Sequence, residues 1–203
     1  MDTLPIIEEF KRDYGVCDHA FLTSKWVLEK VPYIFGDNTE KYLQTKIEIS
    51  KLLGVDSCSI IFVGSSCTGF SLSPRKIFHT FNENSDIDIA VISHYYFDVA
   101  WKTLRDIDMY KLPYDVQEAI SEHKNRLIYW GTIATDKILG IMPFGRKWMD
   151  ATQKIQEMEI FENREVNFRL YRDHESLRAY HIDNFKNKLP EIMNVEPKSI
   201  ELT

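Results

Sequence analysis

Asp86 and Asp88 stand two residues apart in "SDIDIAVIS" (85–93), separated and followed by isoleucines. In an extended strand alternate residues share a face, so both carboxylates point one way while Ile87, Ile89 and Val91 point the other. Two neighbouring carboxylates repel each other unless a cation lies between them. Magnesium prefers oxygen ligands in octahedral geometry and commonly takes one or two carboxylates together with substrate phosphates. The spacing is therefore that of a metal-dependent phosphoryl or nucleotidyl transfer site.

A second stretch, "FVGSSCTGF" (62–70), lies upstream. An apolar strand that breaks into Gly64-Ser65-Ser66 lets the backbone approach a phosphate and offers N–H and hydroxyl donors to its oxygens. Gly-Ser pairs also make ordinary polar turns, and Asp-x-Asp occurs by chance in surface strands. A strand ending in Gly-Ser, followed by a strand that opens with Asp-x-Asp, is a rarer conjunction than either part.

That conjunction resembles the Gly-Ser…Asp-x-Asp signature of the nucleotidyltransferase fold, the superfamily of polymerase β and of small stand-alone nucleotidyltransferases of bacterial type. The resemblance covers residues 60–92 and, by continuity, a core reaching to about residue 172. It implies a mixed-sheet core, a nucleoside triphosphate substrate and two Mg2+ ions. Gly64, Ser65 and Ser66 would hold the triphosphate, and Asp86 and Asp88 the metal. The fold also implies a third carboxylate from a later strand. "EVNFRLY" (165–171) is the candidate strand, and its polar face presents Glu165 and then Asn167. With Glu165 in the required register the acidic set is complete. With Asn167 there, an amide that cannot take up a proton replaces the acid. Glu165 is the expectation adopted. The insert "FSLSPRKIFHTFNEN" (70–84) is longer than in compact members; its Arg75 and Lys76 read as a solvated loop tip, with reach to the triphosphate as the alternative.

The elements that must position these residues are legible in outline. "CSIIFV" (58–63) and "DIDIAVIS" (86–93) read as strands, and Val166, Phe168 and Leu170 alternate with polar residues as in a half-buried strand. Helices are expected over 19–30 and 38–53. The second carries Leu43, Ile47 and Leu53 as its stripe, a capping box from Asp37 to Glu40, and Gly54 as its stop. Further helices are expected over 94–108, 115–129 and about 146–159. A last one starts at the capping residue Asp173 and runs to Leu189, where Pro190 ends it. Helices with a few separated strands indicate an α+β fold. The organisation expected is an N-terminal helical layer (1–54), a nucleotidyltransferase-like core (55–172) and a C-terminal helix and tail (173–203), together one compact domain.

The remaining chemistry-bearing residues receive plainer readings. Arg169, Arg172 and Arg178 read as solvated charges, with bidentate pairing to phosphates as the alternative. His181, between Leu177 and Phe185 at four-residue intervals, reads as a hydrogen-bonded core histidine. Arg146 and Lys147 read as exposed charges at a helix start, Cys67 as a small filler, and Tyr95, Tyr96 and Trp101 as core packing.

Composition bounds the function. The chain has 203 residues, 44% hydrophobic and 28% charged, enough for one well-buried core. A formal charge of −6 argues against a non-specific duplex binder. Three cysteines without CxxC spacing disfavour a disulfide framework or zinc knuckle and fit a cytoplasmic setting. No apolar stretch approaches the ~18–20 residues that span a bilayer, and the acidic amino terminus does not resemble a signal peptide. The function expected is transfer of a nucleoside monophosphate from a nucleoside triphosphate to a hydroxyl on a protein, RNA or small molecule. The alternative is a catalytically weakened module that binds or regulates, as a partner in a toxin–antitoxin or antiviral system.

Overall fold

The apolar runs at 60–63 and 87–92 are too short for buried helices, and both are strands of one sheet. The computed structural model describes residues 3–189. In chain order its helices are α1 (Leu4–Val16), α2 (His19–Thr23), α3 (Thr39–Leu53), α4 (Gly64–Thr68), α5 (His94–Asp106), α6 (Tyr114–Glu122), α7 (Gly145–Gln156) and α8 (His174–Asp183). Its strands are β1 (Ile60–Val63), β2 (Ile87–Ile92), β3 (Thr132–Ala134) and β4 (Val166–Tyr171). The sheet order is β1-β2-β4-β3, with β2 and β4 parallel and both outer pairs antiparallel. The fold is α+β.

Strand alternation gives the sheet two unlike faces. Ile60, Phe62, Ile87, Ile89, Val91, Phe168 and Leu170 pack with side chains of α3, α5, α6 and α7 in the larger core. Ile61, Val63, Ala90, Ile92 and Tyr171 pack with Phe10 of α1, Leu22 of α2 and Leu177 of α8 in the smaller one. The helices before residue 55 thus divide between the two faces rather than forming one layer.

Local chemistry sets the helix ends. Asn38, one residue later than expected, caps α3 by accepting the Lys41 N–H at 2.9 Å, and Gly54 closes it in the left-handed conformation (φ 77°). The apolar stripe expected for α3 is corrected: Leu43 and Ile47 are exposed, while Thr45, Ile49, Ser50 and Leu53 face inward. Asp173 caps α8 as expected, accepting the Ser176 N–H at 2.7 Å. The helices expected to run on past α2, α6 and α8 continue instead as π-helical turns over Ser24–Leu28, His123–Leu127 and Asn184–Lys188. Pro190, the expected stop, lies outside the described residues. β1 starts later than residue 58 because Asp56 accepts the Cys58 N–H at 2.8 Å and curls residues 57–59 into a 3₁₀ turn.

Candidate active site at the start of β2 and β4

The smaller-core face of the sheet changes character along its strands. Towards one end it is apolar, with Ala90, Ile92 and Tyr171. Towards the other it carries Asp86 and Asp88 on β2 and its lead-in, and Glu165, Asn167 and Arg169 on β4 and its lead-in. β2 and β4 begin at this polar end, and antiparallel β1 finishes there. The break after Val63 therefore arrives beside the aspartates: Val63 pairs with Asp88, and Gly64 is the next residue.

Gly64 and Asp88 are in direct apposition. Gly64 has φ +64°, and a Cβ placed on it would stand 2.5 Å from the Asp88 carboxylate oxygen Oδ2. A side chain there would displace the acid and strain the turn, so glycine is favoured on both counts. From Gly64 the chain enters the single-turn α4, and here the three expected phosphate-facing residues separate. Gly64 is exposed and Ser65 half-buried, and both line an open cleft. Ser66 does not take the expected place: its side chain is fully buried, and its hydroxyl donates to the Val63 carbonyl at 3.0 Å. The Thr68 hydroxyl is likewise held, donating to the Phe70 carbonyl at 2.5 Å. Cys67 packs inside, its thiol pushed up to about 12 by burial, which suits a filler and not a nucleophile.

On the other side of β2, Asp88 pairs in register with Asn167. The Ile87 N–H donates to the Glu165 carbonyl at 2.8 Å, which sets Glu165 beside Asp86. Both candidates for the third position thus lie on the aspartates' face, the amide next to Asp88 and the exposed glutamate next to Asp86. Burial lifts the Asp88 carboxyl to about 6; the Arg169 guanidinium opposes that rise, and the charges of Asp86 and Glu165 add to it. Arg169 is not a solvated charge. It lies half-buried, donating from Nη1 to the Tyr180 hydroxyl at 3.0 Å with its guanidinium carbon 5.4 Å from that ring's centre. Among the described residues no three His, Cys, Asp or Glu side chains converge on one ion position, so Asp86 and Asp88 stand as a pair.

Two adjoining depressions meet at Gly64 and Asp88. The larger, about 690 Å³, runs from Gly64, Ser65 and Asp86 along the insert, where Lys76, His79 and Asn84 line it. The insert is therefore a wall of the cleft, and Lys76 faces into it. The smaller, about 380 Å³, lies over Asn167, Arg169, Glu165 and Asp136. Gly64, Asp88, Tyr180 and His181 border both. His181 is thus a half-buried cleft residue, not a core one, although Leu177 and Phe185 on either side of it are buried. Tyr180 and Asn184, not singled out from the sequence, join His181 along the cleft from α8 and its π-turn. The i, i+4 spacing of Tyr180 and Asn184, with His181 three before Asn184, was the available signal. Lys147 is occupied elsewhere, its ammonium donating to the Leu53 carbonyl at the end of α3 at 3.0 Å. Comparison with protein-family models, with curated proteins and with solved structures found no match to this chain.

Proposed function

We propose that the chain is a metal-dependent nucleotidyltransferase that moves a nucleoside monophosphate from a nucleoside triphosphate to an acceptor hydroxyl. The observation that carries this reading is the apposition of Gly64 with the Asp88 carboxylate, which makes the Gly-Ser turn and the aspartate pair two walls of one cleft. A divalent cation suits the donor set: Asp86 and Asp88 share a face, and like charges and burial make Asp88 a reluctant anion that a cation would relieve. Asp86 and Asp88 would hold Mg2+. When bound, the ion supplies charge neutralisation and activation of the attacking oxygen.

The chain's own residues divide the remaining work. The Gly64–Ser65 backbone and the Ser65 hydroxyl face the phosphates, with Lys76 and His79 on the same wall adding donors. In the transfer, the acceptor oxygen bonds to the α-phosphorus, the α–β bridging bond breaks, and pyrophosphate departs along that wall. Glu165, exposed beside Asp86, receives the acceptor's proton. Positioning and charge neutralisation supply most of the acceleration in such reactions. A cytoplasmic setting fits Cys17, Cys58 and Cys67, which are free thiols. No helix among the described residues is long and apolar enough to cross a membrane.

A second reading, a module that binds nucleotide without turning it over, is favoured by Asn167 standing in register with Asp88. Calorimetry with a non-hydrolysable triphosphate, with and without Mg2+, followed by turnover assays with labelled triphosphates, separates the two. Magnesium-dependent binding with transfer of label supports the enzyme, and binding alone supports the module. The double variant Asp86→Asn/Asp88→Asn is expected to stay folded and to lose magnesium-dependent binding. Unchanged binding in that variant would sink the site.

A further inference from the structure

The cleft does not end at Asn167. The depression over Asn167 and Arg169 shares Asp136, Glu165, Asn167 and Phe168 with a further hollow of about 270 Å³ that extends along α7. The three hollows form one trough across the polar end of the sheet, with Asp86 and Asp88 between its unequal arms. The arm beside Gly64 and Ser65 carries Lys76 and His79, and Arg126, which is ion-paired with Glu122. The arm running to α7 carries Asp136, Glu165, Asn167, Gln153 and Gln156, with Met149 and Leu139 as apolar surface. Among the described residues its lining includes one arginine and no lysine, and that Arg169 is engaged with the Tyr180 hydroxyl and ring.

From this asymmetry we infer that the acceptor is a polypeptide segment, presenting a Ser, Thr or Tyr hydroxyl beside basic residues and lying along the α7 arm. The inference rests on the transferase reading. A polynucleotide acceptor demands lysines and arginines along its track to neutralise phosphates, and this arm offers carboxylates instead. Side-chain amides carry both donor and acceptor groups, as peptide groups do, so Gln153, Gln156 and Asn167 match an extended backbone. Met149, an exposed and adaptable apolar side chain, suits the contact surface of a peptide. Asp136 complements lysine or arginine flanking the hydroxyl. In the reaction the side-chain oxygen forms a phosphodiester bond to the α-phosphorus, the α–β bridging bond breaks, pyrophosphate leaves, and the hydroxyl proton passes to Glu165.

The test is direct binding to the full chain, read by fluorescence anisotropy. The probes are nonapeptides with a central serine flanked by arginines, alanines or glutamates, and a single-stranded RNA dodecamer. The arginine-flanked peptide is expected to bind about tenfold more tightly than the glutamate-flanked peptide or the RNA. Asp136→Lys, at an exposed position, is expected to erase that preference and leave magnesium-dependent nucleotide binding unchanged. Gln153→Ala/Gln156→Ala is expected to weaken the arginine- and alanine-flanked peptides alike. RNA binding as tightly as the arginine-flanked peptide, or a preference that survives Asp136→Lys, overturns the inference. Nucleotide binding without peptide binding defeats this inference alone. Peptide binding without nucleotide binding defeats the transferase reading and leaves the peptide trough standing.

Discussion

Gly64 links a left-handed backbone conformation directly to the aspartate pair. Gly64→Ala forces an L side chain into a left-handed conformation, at a cost of roughly 1–2 kcal/mol, and drives its Cβ against the Asp88 carboxylate. A lower urea midpoint and loss of nucleotide binding are expected together; either one without the other would separate the turn from the site. Asn167→Asp probes the opposite wall. It adds a carboxylate in register with Asp88, so stability in a chelating buffer is expected to fall and Mg2+ to restore it. A variant indifferent to Mg2+ would argue that no ion reaches this face. The placements in the candidate site that could be read from sequence were those fixed by strand alternation, the shared faces of Asp86 with Asp88 and of Glu165 with Asn167, and Gly64 at the break after β1. Ser66 could not be read. A serine at the first turn of a short helix serves the backbone or the cleft according to its rotation, and here it satisfies the Val63 carbonyl. Arg169 was misread because its partner, Tyr180, comes from a helix whose placement over the sheet is a tertiary fact.

Among the elements, α8 shows how one end-group holds a cleft wall. Burial disfavours the Asp173 anion, but the Ser176 N–H, the Arg172 guanidinium and the Ser176 hydroxyl together hold its carboxyl at about 2. Its folded value lies below the usual carboxylate value of about 4. The stability it contributes is therefore present above pH 4 and is lost as the pH falls towards 2. Asp173→Asn keeps a capping group, so thermal melts are expected to differ little at pH 7 and to show a shallower acid slope than the parent chain. Asp173→Ala is expected to cost about 1 kcal/mol at pH 7. Helices with strong caps, α3 and α8, were legible to within a residue at their starts. The far end of α3 was legible as well, from Gly54, whereas those of α6 and α8 were not, because the π-turns at 123–127 and 184–188 carry no local sequence mark. β3 escaped notice for a related reason: it has three residues on an outer strand, too few for alternation to register. Its far end is fixed by His123 from α6's π-turn, whose Nε2 accepts the Ala134 N–H at 3.1 Å.

At the scale of the whole molecule, two cores share one four-stranded sheet, and the smaller one is organised around aromatic rings. Phe10 is fully buried and meets Trp26, Phe70 and Phe185 at centroid distances of 5.3, 5.4 and 6.1 Å. Phe10→Ala is expected to cost about 3–5 kcal/mol. Because both cores use alternate residues of the same strands, the loss is expected as a shift of a single unfolding transition. Two separate transitions in urea, followed by tryptophan fluorescence and far-ultraviolet circular dichroism, would show the cores to be independent. The parallel pairing of β2 with β4 has a further consequence, in the order in which the chain is made. Asp86 and Asp88 leave the ribosome long before the strand that pairs with theirs. Until Val166–Tyr171 follows, β2 has β1 on one side and an open edge of unpaired peptide groups on the other. The newborn protein must carry β2 as a sticky margin while the segment between Ile92 and Val166 is made, and neither arm of the trough is complete until β4 and α8 emerge.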